Sequence, residues 1–345
     1  PCSLCFQPLQ GRVLLMSAQE DILSGDRLAL SRFLTHVENG DPEARVSLDA
    51  LYLHAGKAQR IGVTGAPGTG KSSLVNRLAQ HIRREQQKTV AIIAVDPSSP
   101  FTGGAILGDR LRMRDLAGDP GVFIRSMASR GALGGLALAT AQLTRVFDAA
   151  GFDYIIIETV GAGQSEVEIA RLAHTTLVVE APGFGDDIQA IKAGIMEIAD
   201  ILVINKADQL GVENTERALR ANLELGYRQI HDRKAGHAAA VEPASETTSG
   251  WTPPILKTIA TDNQGISELL TAIGRHHDFL VESGQLETIE REGLEQEILA
   301  LLQTKLMNNW REKAGTLKME KALEEAFNRR WSPDQAVDWL IEQSF

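Results

Sequence analysis

The chain has 345 residues, 43% of them hydrophobic and 23% charged, with a formal net charge of −10. That length accommodates one large α/β domain with helical additions, and the composition is that of an ordinary globule. The acidic balance argues against a nucleic-acid partner, and no apolar run approaches the roughly 20 residues that span a bilayer. With no stretch reading as a secretory leader, the cytoplasm is the expected compartment.

Residues 1–16 hold the only two cysteines, Cys2 and Cys5, as C-x-x-C. A zinc or redox role would need a second ligand pair or a folded frame, and the sequence offers neither. The stretch is expected to be an upstream- or cloning-derived tail without order. In residues 17–56, Ile22, Leu28, Leu30, Phe33, Leu34 and Val37 suggest two or three short helices punctuated by Gly40-Asp41-Pro42. They are expected to cap the domain that follows, residues 57–280.

That domain opens on IGVTGAPGTGKSSL, from Ile61 to Leu74. Gly65, Gly70, Lys71 and Ser72 fill the pattern G-x-x-x-x-G-K-[ST], between a short apolar run and a helical repeat of Leu74, Leu78 and Ile82. Glycines let successive backbone N–H groups turn inward around phosphate oxygens, and the helix N-terminus adds partial positive charge. The binding loop is therefore expected to comprise Gly65, Ala66, Pro67, Gly68, Thr69, Gly70, Lys71, Ser72 and Ser73. Lys71 would reach the β- and γ-phosphates, and the Ser72 hydroxyl would ligate Mg²⁺. A Gly-rich turn before an ordinary helix is the bland alternative.

Further strand-like runs follow at Thr89–Val95, Val122–Arg125, Tyr154–Glu158, Thr176–Glu180, Ile201–Ile204 and Ile255–Ile259. Several are continuously apolar, as in a parallel sheet buried on both faces, and helical patterns alternate with them. The prediction is a doubly wound, mostly parallel α/β sheet with its chemistry at the strands' carboxyl ends. Asp96 follows the second run and Asp109 lies beyond it; both are placed to hold Mg²⁺, or else are helix caps or solvated carboxylates. Tyr154–Glu158 leads into Glu158-Thr159-Val160-Gly161, where nucleotide switches keep D-x-x-G. Glu158 stands in for the aspartate, and Gly161 occupies the position that senses the γ-phosphate. Ala162 replaces the usual water-orienting glutamine, so unaided hydrolysis should be slow.

Ile201–Ile204 runs into Asn205-Lys206-Ala207-Asp208, an N-K-x-D box. The Asp208 carboxylate can accept both N1–H and N2–H of guanine, a donor pair that adenine lacks. The Lys206 stem can cover the base, and Asn205 can tie this loop to the phosphate loop. Thr258-Ile259-Ala260-Thr261 sits where a last base-contacting loop belongs, with a degenerate sequence. Between Leu210 and Pro254 the pattern loosens, and Lys234–Gly250 reads as a surface insertion. Residues 281–345 turn helical and charged. Leu286 through Leu306 suggest a long amphipathic helix, Met319 through Phe327 a second, and Ser332-Pro333-Asp334-Gln335 is a capping box opening a third. Their apolar stripes point to a dimerisation arm.

Taken together and in order, GAPGTGKSS, VDPSSPFTGGAILGDR, SMASRGALGGLA, ETVGAGQSE, APGFGDD and NKAD resemble the MeaB/ArgK family of P-loop GTPases, relatives of the methylmalonic aciduria type A protein. The resemblance runs from about Ile22 to the C-terminus. It implies a G-protein chaperone that uses GTP to gate cofactor loading and to protect or reactivate an adenosylcobalamin-dependent acyl-CoA mutase. A cobalamin adenosyltransferase would be a further partner. By the same resemblance Asp96, Asp109 and Glu158 match the acidic Mg²⁺ and switch positions. Pro182, Gly183, Asp186, Asp187 and Lys192 match a mobile segment that couples nucleotide state to the mutase. The cofactors implied are GTP/GDP and Mg²⁺, and the assembly a homodimer. Three other readings stand beside it: a scaffold with negligible turnover, a transport-protein kinase, and a metallochaperone GTPase.

Overall fold

The computed structural model describes residues 19–97, 113–116, 118–129, 133–159, 171–183, 197–235 and 250–343, with backbone alone at 96–97, 114, 128–129, 133–135, 225–235 and 313–316. The expected tail lies outside these residues, but for its neighbours from 19 onward.

Among the described residues, seven strands form one all-parallel sheet in the order β3-β2-β4-β1-β5-β6-β7. They are β1 (Gln59–Thr64), β2 (Val90–Pro97), β3 (Val122–Ser129), β4 (Tyr154–Glu158), β5 (Thr175–Glu180), β6 (Ile201–Asn205) and β7 (Ile255–Thr258). Every strand-like run of the sequence is present. The continuous apolar runs are buried because helices cover both faces. On one face, Leu74, Val75 and Leu78 of α3 (Lys71–His81) and Ile266, Leu269 and Ile273 of α6 (Ile266–Glu282) pack on Ile61, Val63, Ile92 and Ile156. On the other, α4 (Leu133–Ala149) brings Leu143, Val146 and Phe147 against Ile93, Ile155 and Ile157. Each such buried side chain is worth about 1.5–3 kcal/mol relative to leaving it in water.

The N-terminal helices α1 (Arg27–Asn39) and α2 (Ala44–Tyr52) complete that second face through Phe33, Leu34 and Leu51. Asp26 caps α1 by accepting from Leu28 and Ala29 N–H at 2.7 and 2.9 Å. Arg27 fastens α1 to the sheet edge, donating to the carbonyls of Pro120 and Val122.

Two places depart from the sequence reading. The loosened stretch after Leu210 begins with a full helix, α5 (Val212–Ala235), which packs Leu219 on Val178, Leu202 and Ile204. In the C-terminal region the two expected helices are one, α7 (Gln285–Phe327). No proline separates its halves, and Gly315, at about 1 kcal/mol, does not stop the helix. The capping box does form: Gln335 N–H donates to Ser332 Oγ and Ser332 N–H to Gln335 Oε1, opening α8 (Pro333–Glu342).

The chain divides into two compact units, one ending at Glu290 and the other beginning at Arg291. In the second, Ala322 and Trp310 of α7 pack with Ala336, Leu340 and Trp339 of α8. Among the described residues no helix is long and apolar enough to cross a membrane.

Candidate functional site

At the carboxyl end of β1 the chain turns through residues 65–70 into α3, which starts without a side-chain cap. Two glycines are demanded by shape. Gly65 sits at φ 136°, and a Cβ there would lie 2.0 Å from the Val179 carbonyl oxygen. Gly70 sits at φ 91°, and its Cβ would meet Asn205 Nδ2 at 2.5 Å. The turn between them is Ala66, Pro67, Gly68 and Thr69, closed by Thr69 Oγ1 donating to the Ala66 carbonyl at 3.0 Å. Pro67, Gly68 and Ser73 are exposed.

Lys71 is buried, and its ammonium donates to the carbonyls of Gly65 and Ala66 at 2.8 and 3.0 Å. A cation held inside its own loop can exchange those carbonyls for phosphate oxygens, which are stronger acceptors. The Ser72 hydroxyl donates to Glu158 Oε1 at 2.6 Å, both residues being buried. This contact joins the first turn of α3 to the end of β4. Hydroxyl and carboxylate are hard oxygen donors of the kind Mg²⁺ takes, so these residues fit that ion. Beneath them Thr159 Oγ1 bonds Thr64 Oγ1 at 3.0 Å.

The Asn205–Asp208 segment lies against the same loop. Asn205 Nδ2 donates to the Thr69 carbonyl at 2.9 Å, and Lys206 Nζ to the Gly68 carbonyl at 2.8 Å. Lys206 takes a left-handed φ of 58°, which turns the chain sharply after β6. Asp208 is exposed two residues on, its carboxylate available to a paired donor such as guanine. Asn205 Oδ1 accepts from Thr258 Oγ1 and from Ala260 N–H, each at 3.2 Å. The degenerate TIAT segment is thus brought to the box. Its sequence carries little signal because one of the two contacts uses backbone.

The remaining expected residues divide in two. Pro182, buried, and Gly183, exposed at φ 90°, follow β5 at this same end of the sheet. The backbone of Asp96 pairs with Ala128 near the end of β2, two residues past the Ala94 that pairs with Glu158. Asp109, Gly161, Asp186, Asp187 and Lys192 lie outside the described residues.

Residues 30–315 match the family described as Methylmalonyl Co-A mutase-associated GTPase MeaB. The chain belongs to that family. A Pyrococcus abyssi protein that carries a GTPase name is 42% identical over 94% of this chain and 95% of its own length. GTPase ArgK of Escherichia coli is 39% identical over 78% of this chain and 77% of its own. Among solved structures, one described as LAO/AO transport system kinase is 27% identical, covers 96% of this chain and 97% of its own, and superposes with a TM-score of 0.65. The MeaB-family chain is therefore a P-loop GTPase that binds guanine nucleotide, and the family's description names methylmalonyl-CoA mutase as the enzyme such GTPases associate with.

Proposed function

We propose that this GTPase is a nucleotide-gated chaperone of an adenosylcobalamin-dependent acyl-CoA mutase, gating cofactor loading and protecting the loaded enzyme. The observation that carries the nucleotide half is Asn205, which holds the guanine box directly on the phosphate loop through Thr69. The family name supports the mutase half.

In this reading Lys71 and the loop N–H groups from Gly65 to Ser73 hold the phosphates, while Lys206 and Asp208 hold the base. Ser72 and Glu158, with Asp96 and Asp109, hold Mg²⁺, which when bound supplies charge neutralisation to the phosphoryl oxygens. Water attacks the γ-phosphorus in line, and Lys71 stabilises the charge that develops on the transferring group. With Ala162 after Gly161, turnover depends on a partner that reorders the switch loops. Pro182, Gly183, Asp186, Asp187 and Lys192 transmit nucleotide state to that partner, a bias between two mutase states. Residues 17–56 serve as a cap, 57–280 as the GTPase domain and 281–345 as a homodimerisation extension. Ile298, Leu302 and Leu306 support that last assignment: they recur one turn apart on α7 and are 54%, 49% and 56% exposed. The setting is the cytoplasm, with no nucleic-acid or membrane partner.

The test is GTP against ATP turnover, with and without a candidate adenosylcobalamin mutase from the same source. Slow hydrolysis confined to GTP and accelerated by one mutase is the expected result. Turnover that ignores every mutase defeats the chaperone reading. Negligible turnover under all conditions leaves the scaffold reading, which Ala162 favours, and a preference for ATP leaves the transport kinase.

A further inference from the structure

A side chain outside every sequence motif joins the phosphate-side helix to the turn that follows β7. Arg77 lies half-buried on α3. Its Nε donates to the Ala260 carbonyl at 3.0 Å and its Nη2 to the Thr261 carbonyl at 3.2 Å. Its Nη1 donates to Gln80 Oε1 at 3.0 Å, and Gln80 in turn donates to Asn76 Oδ1 at 3.4 Å. The fork is thus aimed by its own helix and spent on two consecutive carbonyls of one turn. A planar guanidinium fixes the orientation of such a pair; a lone ammonium does not.

The turn it holds is a short 3₁₀ segment, Ala260–Asp262, closed by reciprocal backbone bonds between Ile259 and Gln264 at 3.1 and 3.2 Å. Ala260 is buried and carries two contacts at once. Its carbonyl accepts from Arg77, and its N–H donates to Asn205 Oδ1. Asn205 then reaches the Thr69 carbonyl of the phosphate loop. The circuit runs from α3 through Ala260 and Asn205 to Thr69, and returns to α3 along the chain.

We propose that Arg77 is a positioning residue for guanine recognition. By holding the 260–262 turn against Asn205, it sets the Asn205–Asp208 box in its base-binding geometry before nucleotide arrives. The proposal rests on the guanine reading of that box. Without Arg77, two carbonyls turn to water and the ordering of the turn must be supplied by the ligand, which lowers affinity for the base and spares the phosphate contacts.

Arg83 provides the structural control. It follows α3 directly, and its guanidinium pairs with Asp119 at 2.9 and 3.0 Å and with the Lys88 carbonyl at 2.9 Å, on segments that precede β2 and β3. Calorimetry on the full chain would compare GDP, ADP and inorganic tripolyphosphate for the wild type, Arg77→Ala, Arg77→Lys and Arg83→Ala. For Arg77→Ala we expect GDP affinity to fall about tenfold while tripolyphosphate affinity stays within about twofold. Arg77→Lys should show the same selective loss by a smaller factor, and it carries the test if the alanine variant does not fold. Arg83→Ala should lower the melting temperature and leave the GDP-to-tripolyphosphate ratio unchanged. Wild-type GDP affinity in Arg77→Ala, or equal losses for GDP and tripolyphosphate, would overturn the proposal. A wild type that binds ADP as well as GDP would instead overturn the guanine reading beneath it.

Discussion

The two ends of the sheet use their polar side chains in opposite ways. At the carboxyl ends, Lys71, Lys206 and Asn205 bond loop carbonyls, and Asp208 stands exposed. The contacts of the two ammonium groups are exchangeable for a ligand's, while Asn205 keeps the two loops together. At the amino ends several polar side chains bond one another. Glu290, on α7 and still inside the first unit, takes Arg60 Nη2 at 2.9 Å and His174 Nε2 at 2.8 Å. His174 Nδ1 accepts from the Arg60 N–H, which places the ring proton on Nε2 and makes it a neutral donor. Burial holds the His174 pKa down, while the His174 bond and the Arg60 charge bring Glu290 down to about 2.

Beside them His276 receives or gives a hydrogen bond with Thr175 Oγ1 at 2.9 Å and lies 3.4 Å from Asp200. Asp200 Oδ2 accepts from Thr176 N–H, and its carbonyl accepts from Trp251. Burial pushes Asp200 up to about 7 and His276 down to about 4, the latter helped by the neighbouring His277 and His174. One end of the sheet is fastened and the other is left poised. Buried polar groups therefore have to be judged by what they bond, because burial alone is common to both ends.

That contrast breaks most sharply at Lys71. Lys71→Ala should cut GTP turnover by about 10²–10³. Arg60→Ala, at the other end, should move the melting temperature and leave turnover per folded molecule near the wild-type value. Steady-state kinetics beside thermal melts reads both. Next comes the packing of the loop. Gly65→Ala meets the Val179 carbonyl in a backbone region hostile to alanine, and should cost about 1–3 kcal/mol in chemical denaturation along with nucleotide affinity.

At the fastened end the expected effect is a pH dependence. The raised Asp200 contributes stability that is full below about 4 and lost as pH rises through about 7. The lowered His276 contributes stability that is full above about 6.5 and lost as pH falls through about 4. Between pH 4 and 6.5 the two oppose, and the pair keeps one proton in the folded and in the unfolded chain. Asp200→Asn removes the compensation, so stability should climb with pH by about 1.4 kcal/mol per unit across that window, where the wild type is flat from this pair. Denaturant melts at several pH values decide it. The smallest effect is Glu290→Gln. Its side chain is 44% exposed, which screens the ion pair, and the loss should stay within about 1 kcal/mol. The depressed Glu290 pKa makes that loss present above about pH 4.5 and absent as pH falls through about 2.

Local chemistry by itself determined the strand positions and located the turns that carry the G-x-x-x-x-G-K-[ST] and N-K-x-D patterns, because each rests on residues adjacent in the chain. Ile155-Ile156-Ile157 offers apolar side chains to both faces of a strand, and the positive φ of Gly65 and Gly70 is a local demand of the loop. The helical stretch 212–224 was masked by its polar composition, since only residues such as Leu219 and Leu223 reach the core. Joining of the two C-terminal helices was hidden for a related reason: Gly315-Thr316 is a pair typical of a helix end, and nothing local marks the continuation. Tertiary structure alone decided the contacts between residues far apart in sequence. Arg77 with Ala260 and His276 with Asp200 carry no motif, because their partners are a backbone carbonyl and a side chain on a neighbouring element. Such pairs are set by register and packing across the sheet, and a linear pattern of residue types does not encode which strand ends meet.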